Sequence, residues 1–374
     1  MVRRILLWLS YQDWFLIVNA LALTIFSLIM LYSLQINIHQ EGFTPASRQW
    51  LFAVLGIIGF FVLSGINFRF WADYYKVIFI LSAFLLIAVL FLGPNVRGAT
   101  SWLVIAGQRF QPVELVKLGM IIFFARFFSI HGRHKDHLTK DLIVSGLLAA
   151  LLIGLVMLQP DLGSAMLLFA IWFGMALFLP LKKKTLIIIF VSLAVVGGIF
   201  WQFFLHDYQR QRLLTFINPE RDALGTGYNI KQSMVAIGSG HLLGKGLGLG
   251  SQSQLNFLPE QQTDFIFAVV AEELGFVGSS AILLMLFALL WRMHAIAKKT
   301  QDSFGNFFIL GTMVALAAQI FVNVGMNMGI APVTGVPLPF VSYGGSSLLS
   351  IWLTLGIVNS VYLHSRTSVF GEEE

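Results

Sequence analysis

The sequence predicts an all-α polytopic membrane protein. One domain, residues 1–374, carries ten transmembrane helices with a large extracytoplasmic loop, about 206–263, between helices 7 and 8. Three observations predict it. Hydrophobic residues make up 57% of the chain and charged residues 11%, against roughly 25% charged in soluble domains. Mean hydropathy is +0.81. Apolar runs of about 20 residues, enough to cross the hydrocarbon of a bilayer, recur along the chain.

In order, these runs fall at 14–35, 50–66, 76–93, 113–130, 141–158, 162–180, 185–205, 264–291, 305–330 and 343–363. Arg3 and Arg4 precede the first, and no small-residue cleavage site follows it, so it is expected to stay as an uncleaved span. The fourth opens in "RFQPVELVKLG", where Pro112 can begin a helix and Glu114 and Lys117 share one face three residues apart. That pair neutralises itself structurally or faces a cavity, since intramembrane charges are costly and commonly functional. Between the fifth and sixth runs, "LQPDLG" offers Asp161 as an N-cap at the positive end of the sixth helix.

The 206–263 segment is polar yet not compositionally disordered, because Tyr208, Leu213, Phe216, Tyr228, Ile230, Met234 and Phe257 interleave with its charges. An amphipathic or re-entrant packing is expected. Arg210 and Arg212 either snorkel toward headgroups or present guanidinium forks to a phosphate-bearing substrate. "IGSGHLLGKGLGLGSQSQ" lacks the Walker A spacing, as Lys245 is followed by Gly246; flexible turns are one reading, contact of Lys245 and backbone amides with a lipid-linked phosphate the other. At the start of the eighth run, "LPEQQTDFIFAVVAEELG" places Thr263 or Asp264 to cap the helix. Glu272 and Glu273 lie about 12–14 Å deeper, rotated by about 80° and 180° if the helix is continuous from Asp264. They cannot share one reacting atom with it, so interhelical polar contacts are expected for the deeper pair. "GVPLPFVSYGG" reads as a discontinuous segment before the tenth run.

Lys and Arg favour one side: Arg3, Arg4, Arg69, Lys76, Arg126, Arg133, Lys135, Lys140, Lys182 to Lys184, Arg292, Lys298, Lys299 and Arg366. Fewer lie on the other side, namely Arg48, Arg97, Arg109, Arg210, Arg212, Arg221, Lys231 and Lys245. The excess marks the cytoplasmic side and puts both termini there. His131, His134 and His137 sit among basic residues of one loop on that side and read as solvated rather than metal-binding. Without cysteine the chain has no disulfide, thiolate metal site or prenylation signal. No aromatic-interleaved basic domain suggests nucleic acid, and neither a Gly-x-Ser-x-Gly nor a His-Glu-x-x-His motif occurs.

"HDYQRQRLLTFINPERDALGTGYNIKQSMVAIGSG", "GKGLGLGSQSQLNFLPEQQTDFIFAVVAEELGFVG", "RFQPVELVK", "QPDLG" and "GVPLPFVSYGGSS" together resemble the shape, elongation, division and sporulation (SEDS) family over nearly the whole chain. "DYQRQR" with "GSQSQLNFLPE" is similar to its elongation, rod-shape branch rather than its division branch. The resemblance implies a peptidoglycan glycosyltransferase that polymerises lipid II at the outer face of the bacterial cytoplasmic membrane. It also implies a class B penicillin-binding protein as partner, crosslinking the product. By the "TDFIF" match the family's catalytic acid falls on Asp264, its fourth-span pair on Glu114 and Lys117, and a further arginine on Arg109. Gln262 stands where the family usually has His, which leaves the carboxylate as the more credible base.

On that resemblance Asp264 is expected to act as base, and Arg109, Lys117, Arg210, Arg212 and Lys245 to contact pyrophosphate. Glu114 would orient Lys117, and Glu260 would help hold Mg²⁺ or Mn²⁺, cations suited to carboxylate and phosphate oxygens. A flippase or transporter of lipid-linked sugars also accommodates the buried charges, whereas a scaffold for wall enzymes needs none of them.

Overall fold

The structure, a computed structural model, describes residues 8–35, 44–94, 100–105, 107–132, 138–185, 187, 191, 198, 202, 207–218, 222, 225–255 and 257–370. Local chemistry starts the helices. Asp13 caps α1 (Trp14–Ser33) by accepting from the Leu16 amide, and Thr44 with Pro45 opens α2 (Pro45–Gly65). A short α3 (Arg69–Asp73) leads into α4 (Tyr75–Leu92). Next come strands β1 (Leu103–Ile105) and β2 (Gln108–Phe110), antiparallel with Val104 opposite Arg109. Then follow α5 (Val113–His131), α6 (Leu138–Met157) and α7 (Leu162–Leu177). Three helices, α8 (Asp207–Ile217), α9 (Thr226–Ser239) and α10 (Ser251–Gln254), precede α11 (Ile266–Lys299). Asp302 caps α12 (Ser303–Asn327) through the Gly305 amide, and α13 (Gly345–Phe370) closes the fold.

Among the described residues, helices occupy nine of the ten expected spans; most of the seventh, 185–205, lies outside them, as do Arg3, Arg4, Arg97, Arg133, Lys135, His134, His137 and Arg221. Among the described residues, seven helices are long and apolar enough to cross a membrane. Of the other two, α7 has 16 residues and α5 carries Glu114, Lys117 and Arg126. The chain is a polytopic helical membrane protein. The fold is helical as expected, with one addition: the loop before α5 folds into a short two-stranded hairpin.

The most extensive helix pairing is α2 with α13, while α12 packs on α5, α7 and α11. Small residues set the approach. A Cβ on Gly56 would stand 2.9 Å from Trp352 Cδ1, and one on Gly356 2.8 Å from the Phe60 carbonyl oxygen. Close backbone contact of this kind drives association where lipid is as apolar as leucine. Phe60, Phe124, Phe128, Phe304, Phe308 and Trp352 fill the interior, whereas Phe84, Phe91, Leu147, Leu284, Phe287 and Phe321 face outward, as a lipid-contacting surface requires.

A correction concerns α11, which is not one continuous helix from Asp264. It begins at Ile266, with Phe265 rather than Thr263 or Asp264 at the N-cap position, and breaks at Gly275 (φ 65°, ψ −161°), a region open essentially to glycine alone. The 241–246 loop fills the break. The Phe276 and Val277 amides donate to the carbonyls of His241 and Leu242, and the Lys245 and Gly246 amides donate to those of Glu272 and Glu273, at 2.9–3.1 Å. The turns read as flexible therefore satisfy the polar backbone that an interrupted helix exposes.

Candidate active site

At the end of the bundle where α11 begins, a cavity of about 530 Å³ opens between segments far apart in sequence. The turn before α11 supplies Glu260, Thr263 and Asp264; α8 supplies Arg212 and α9 Asn229. Trp102 and Gln111 come from the flanks of the hairpin, and Gly335, Tyr343, Ser346 and Ser347 from the stretch into α13. Asp264 is half-buried, and its Oδ2 would stand 3.7 Å from a Cβ built on Gly335, whose φ of +76° also favours glycine. Glu260 is exposed and held at φ 51°, and its carbonyl accepts from the Thr263, Asp264 and Phe265 amides to close the turn.

Of the residues expected from the sequence, Asp264, Arg212 and Glu260 meet in this cavity; Arg109, Glu114, Lys117, Arg210 and Lys245 are not among its walls. Arg109 is exposed on β2. Arg210 donates to the Gln202 carbonyl at 2.8 Å. Lys245 is a clamp: its Nζ lies 2.8 Å from Glu272 Oε1 and 2.9 Å from Ser251 Oγ, and the fully buried Glu272 also accepts from the Gln252 and Ser253 amides. Glu273 accepts from Ser33 Oγ of α1. Both deeper carboxylates thus bind neighbouring elements, although Glu272 holds a loop rather than another span.

Glu114 and Lys117 are buried and paired at 2.8 Å, with Ser350 Oγ donating to the Glu114 carbonyl. They line a separate space of about 30 Å³ with Thr312, Gln319 and Thr354, room enough for about one water. Gln111 ties the main cavity to the start of α7. The Gln111 side chain donates to Asp161 Oδ2 at 3.2 Å, and its amide donates to Ser346 Oγ at 3.0 Å. Asp161 caps α7 as expected, accepting from the Ser164 amide and hydroxyl. Desolvation pushes its carboxyl above the ordinary value of 3.8, opposed by those Ser164 bonds, with Glu114 raising it further and Lys117 lowering it.

Sequence reasoning missed Trp102, Gln111, Asn229, Tyr343 and the serine pair as cavity walls. "SYGGSS" was visible as a motif, but nothing in it specifies what it faces.

Fold and site together define a polytopic helical membrane protein with a carboxylate-bearing polar cavity at one end of its bundle. The family described as Cell cycle protein, that of FtsW, RodA and SpoVE, matches residues 13–367, and the chain belongs to it. It is 42% identical over 316 residues to the peptidoglycan glycosyltransferase MrdB of Escherichia coli K12, covering 83% of this chain and 84% of that one. It is 35% identical over 364 residues to stage V sporulation protein E of Bacillus subtilis, covering 95% and 98%. Among solved structures, a chain from a peptidoglycan synthase complex superposes with a TM-score of 0.80 at 30% identity, covering 95% of this chain and 98% of that chain. The rod shape determining protein RodA of Thermus thermophilus gives 0.69 at 28%, covering 94% and 96%.

Proposed function

We propose that the chain is a peptidoglycan glycosyltransferase that polymerises lipid II for cell elongation. It would work at the outer face of the bacterial cytoplasmic membrane, with ten spans, the 206–263 segment outside and both termini in the cytoplasm. The observation that carries this reading is the convergence of Asp264, Glu260 and Arg212 on one cavity at the end of a membrane-embedded bundle. A lipid-anchored substrate reaches such a site from the membrane, and the MrdB relative bears this activity in its name.

In the reaction, the acceptor GlcNAc 4-hydroxyl forms a bond to C1 of the donor MurNAc, and the C1–O bond to the lipid pyrophosphate breaks with inversion. Asp264 takes the hydroxyl proton as general base. Arg212 holds pyrophosphate oxygens as negative charge develops on them, a role its planar fork suits. Asn229, Ser346 and Ser347 offer amide and hydroxyl groups to the sugars. The Glu260 carboxylate on the same cavity suits a hard cation. Among the described residues no group of three or more His, Cys, Asp or Glu comes together to hold one, so phosphate oxygens and water would complete its coordination. Bound there, Mg²⁺ or Mn²⁺ would supply charge neutralisation to the pyrophosphate. A class B penicillin-binding protein is the proposed partner, in keeping with the synthase complex that coordinates polymerization and crosslinking in the structural relative.

The buried Glu114–Lys117 pair beside its own small cavity favours a second reading, transport of lipid-linked sugars. One experiment separates them: the purified chain with a class B partner and labelled lipid II, with and without Mg²⁺. Glycan strands from the wild type and none from Asp264→Ala support the polymerase. Absence of strands from either, despite intact complex and lipid II binding, supports the transporter.

A further inference from the structure

The turn bearing Asp264 is irregular, so no helix or strand ladder fixes it. Its carbonyls are nevertheless held one after another. Gln262 O accepts from the Tyr343 amide at 2.8 Å, and Thr263 O from Ser342 Oγ at 2.6 Å. Asp264 O accepts from two side chains at once, Asn323 Nδ2 at 3.0 Å and Asn327 Nδ2 at 2.9 Å. These asparagines stand four residues apart on one face of α12, both with 0% exposure. Burying an amide within an apolar span is costly unless each polar atom finds a partner, so the pair calls for a reason.

Their remaining bonds supply it. Asn323 Nδ2 also donates to the Val336 carbonyl at 2.8 Å, fixing the residue that follows Gly335, whose backbone faces the Asp264 carboxylate. Asn327 Oδ1 accepts from the Ala268 amide at 3.1 Å, in the first turn of α11, an N–H it shares with the Phe265 carbonyl, also at 3.1 Å. Asn327 Nδ2 donates to Asn323 O at 2.8 Å, and Ser233 Oγ donates to Asn327 O at 2.8 Å, which ties α9 to the same point. Two amides thus tie two walls of the cavity, the Asp264 turn and the Gly335 stretch, to the first turn of α11.

We propose that Asn323 and Asn327 are positioning residues that set the Asp264 carboxylate against the reacting hydroxyl by holding its backbone carbonyl. The inference rests on the reading of Asp264 as base. Displacing a reacting group by about 1 Å can slow a reaction about 100-fold, so loss of either donor acts on turnover more than on substrate binding.

The test uses the full-length chain with a class B partner and labelled lipid II, measuring kcat, KM and the unfolding midpoint of each variant. Asn323→Ala and Asn327→Ala are each expected to lower kcat on the order of 10- to 100-fold with KM within about two-fold. Because both bind one carbonyl, the double variant should fall short of the product of the two effects. Ser342→Ala, a smaller change in the same turn, should lower kcat in the same direction and serves if an asparagine variant fails to fold. Unchanged kcat per folded molecule in these variants, or a rise in KM alone, overturns the inference. Asp264→Ala run in parallel keeps the two claims apart. Polymerisation by that variant defeats the base assignment itself, whereas its inactivity beside fully active asparagine variants defeats only the positioning role.

Discussion

Lys245→Met separates two roles for a lysine that a sequence reader would give to the substrate. Its Nζ lies 2.8 Å from Glu272, which has no exposed surface, while the lysine side chain keeps 29%. Removing the ammonium leaves Glu272 with the Gln252 and Ser253 amides, at 2.9 and 3.0 Å. The loss is therefore smaller than the about 3–5 kcal/mol typical of breaking a fully buried ion pair. A charged hydrogen bond is worth about 1.5–3 kcal/mol, and the remaining donors and partial exposure place the expected loss toward the lower end of that range. Denaturant unfolding in detergent measures it. Lipid II KM should stay near wild type, because Lys245 does not line the cavity. A raised KM with unchanged stability would refute the reasoning and return the residue to the pyrophosphate.

Other expectations follow from the same geometry. Gly275→Ala forces a Cβ to 2.3 Å from the Gly244 amide nitrogen at a backbone conformation that disfavours it. The strain of about 1–3 kcal/mol, before any loop bond is lost, should appear as a lower unfolding midpoint. Lys117→Met leaves Glu114 buried without its cation and should destabilise by about 3–5 kcal/mol, while the Glu114→Gln/Lys117→Met double variant recovers much of that in the same assay. Asp161 has a raised folded-state pKa, so its contribution to stability is fully present below 3.8 and lost as pH rises through the folded value. Asp161→Asn keeps a helix-capping oxygen, and its stability should gain on the wild type over that rise; parallel pH profiles of unfolding would contradict this.

Much of this was legible in the chain. The spans were visible because about 20 apolar residues in a row admit few alternatives, and Asp161 because a cap needs only its own neighbours. What stayed hidden depends on partners distant in sequence. Gly275 resembles any helical glycine until the 241–246 loop is seen filling the break beside it. Lys245 points to its role only through Glu272, 27 residues on, and the asparagines of α12 act on a carbonyl 59 and 63 residues before them. Their polarity inside an apolar span was a usable signal; the target was not. Strands of three residues, as in the hairpin, are too short for alternation to register.

The central claim is that Asp264 does the proton transfer in this cavity, and one rate tests it most directly. Initial polymerisation of labelled lipid II would be measured for Asp264→Asn, which keeps shape and removes the base, in the reconstituted complex at saturating substrate. The account predicts retained lipid II binding with no measurable strand formation. Polymerisation near the wild-type rate would contradict it and send the search for the base to another wall of the same cavity.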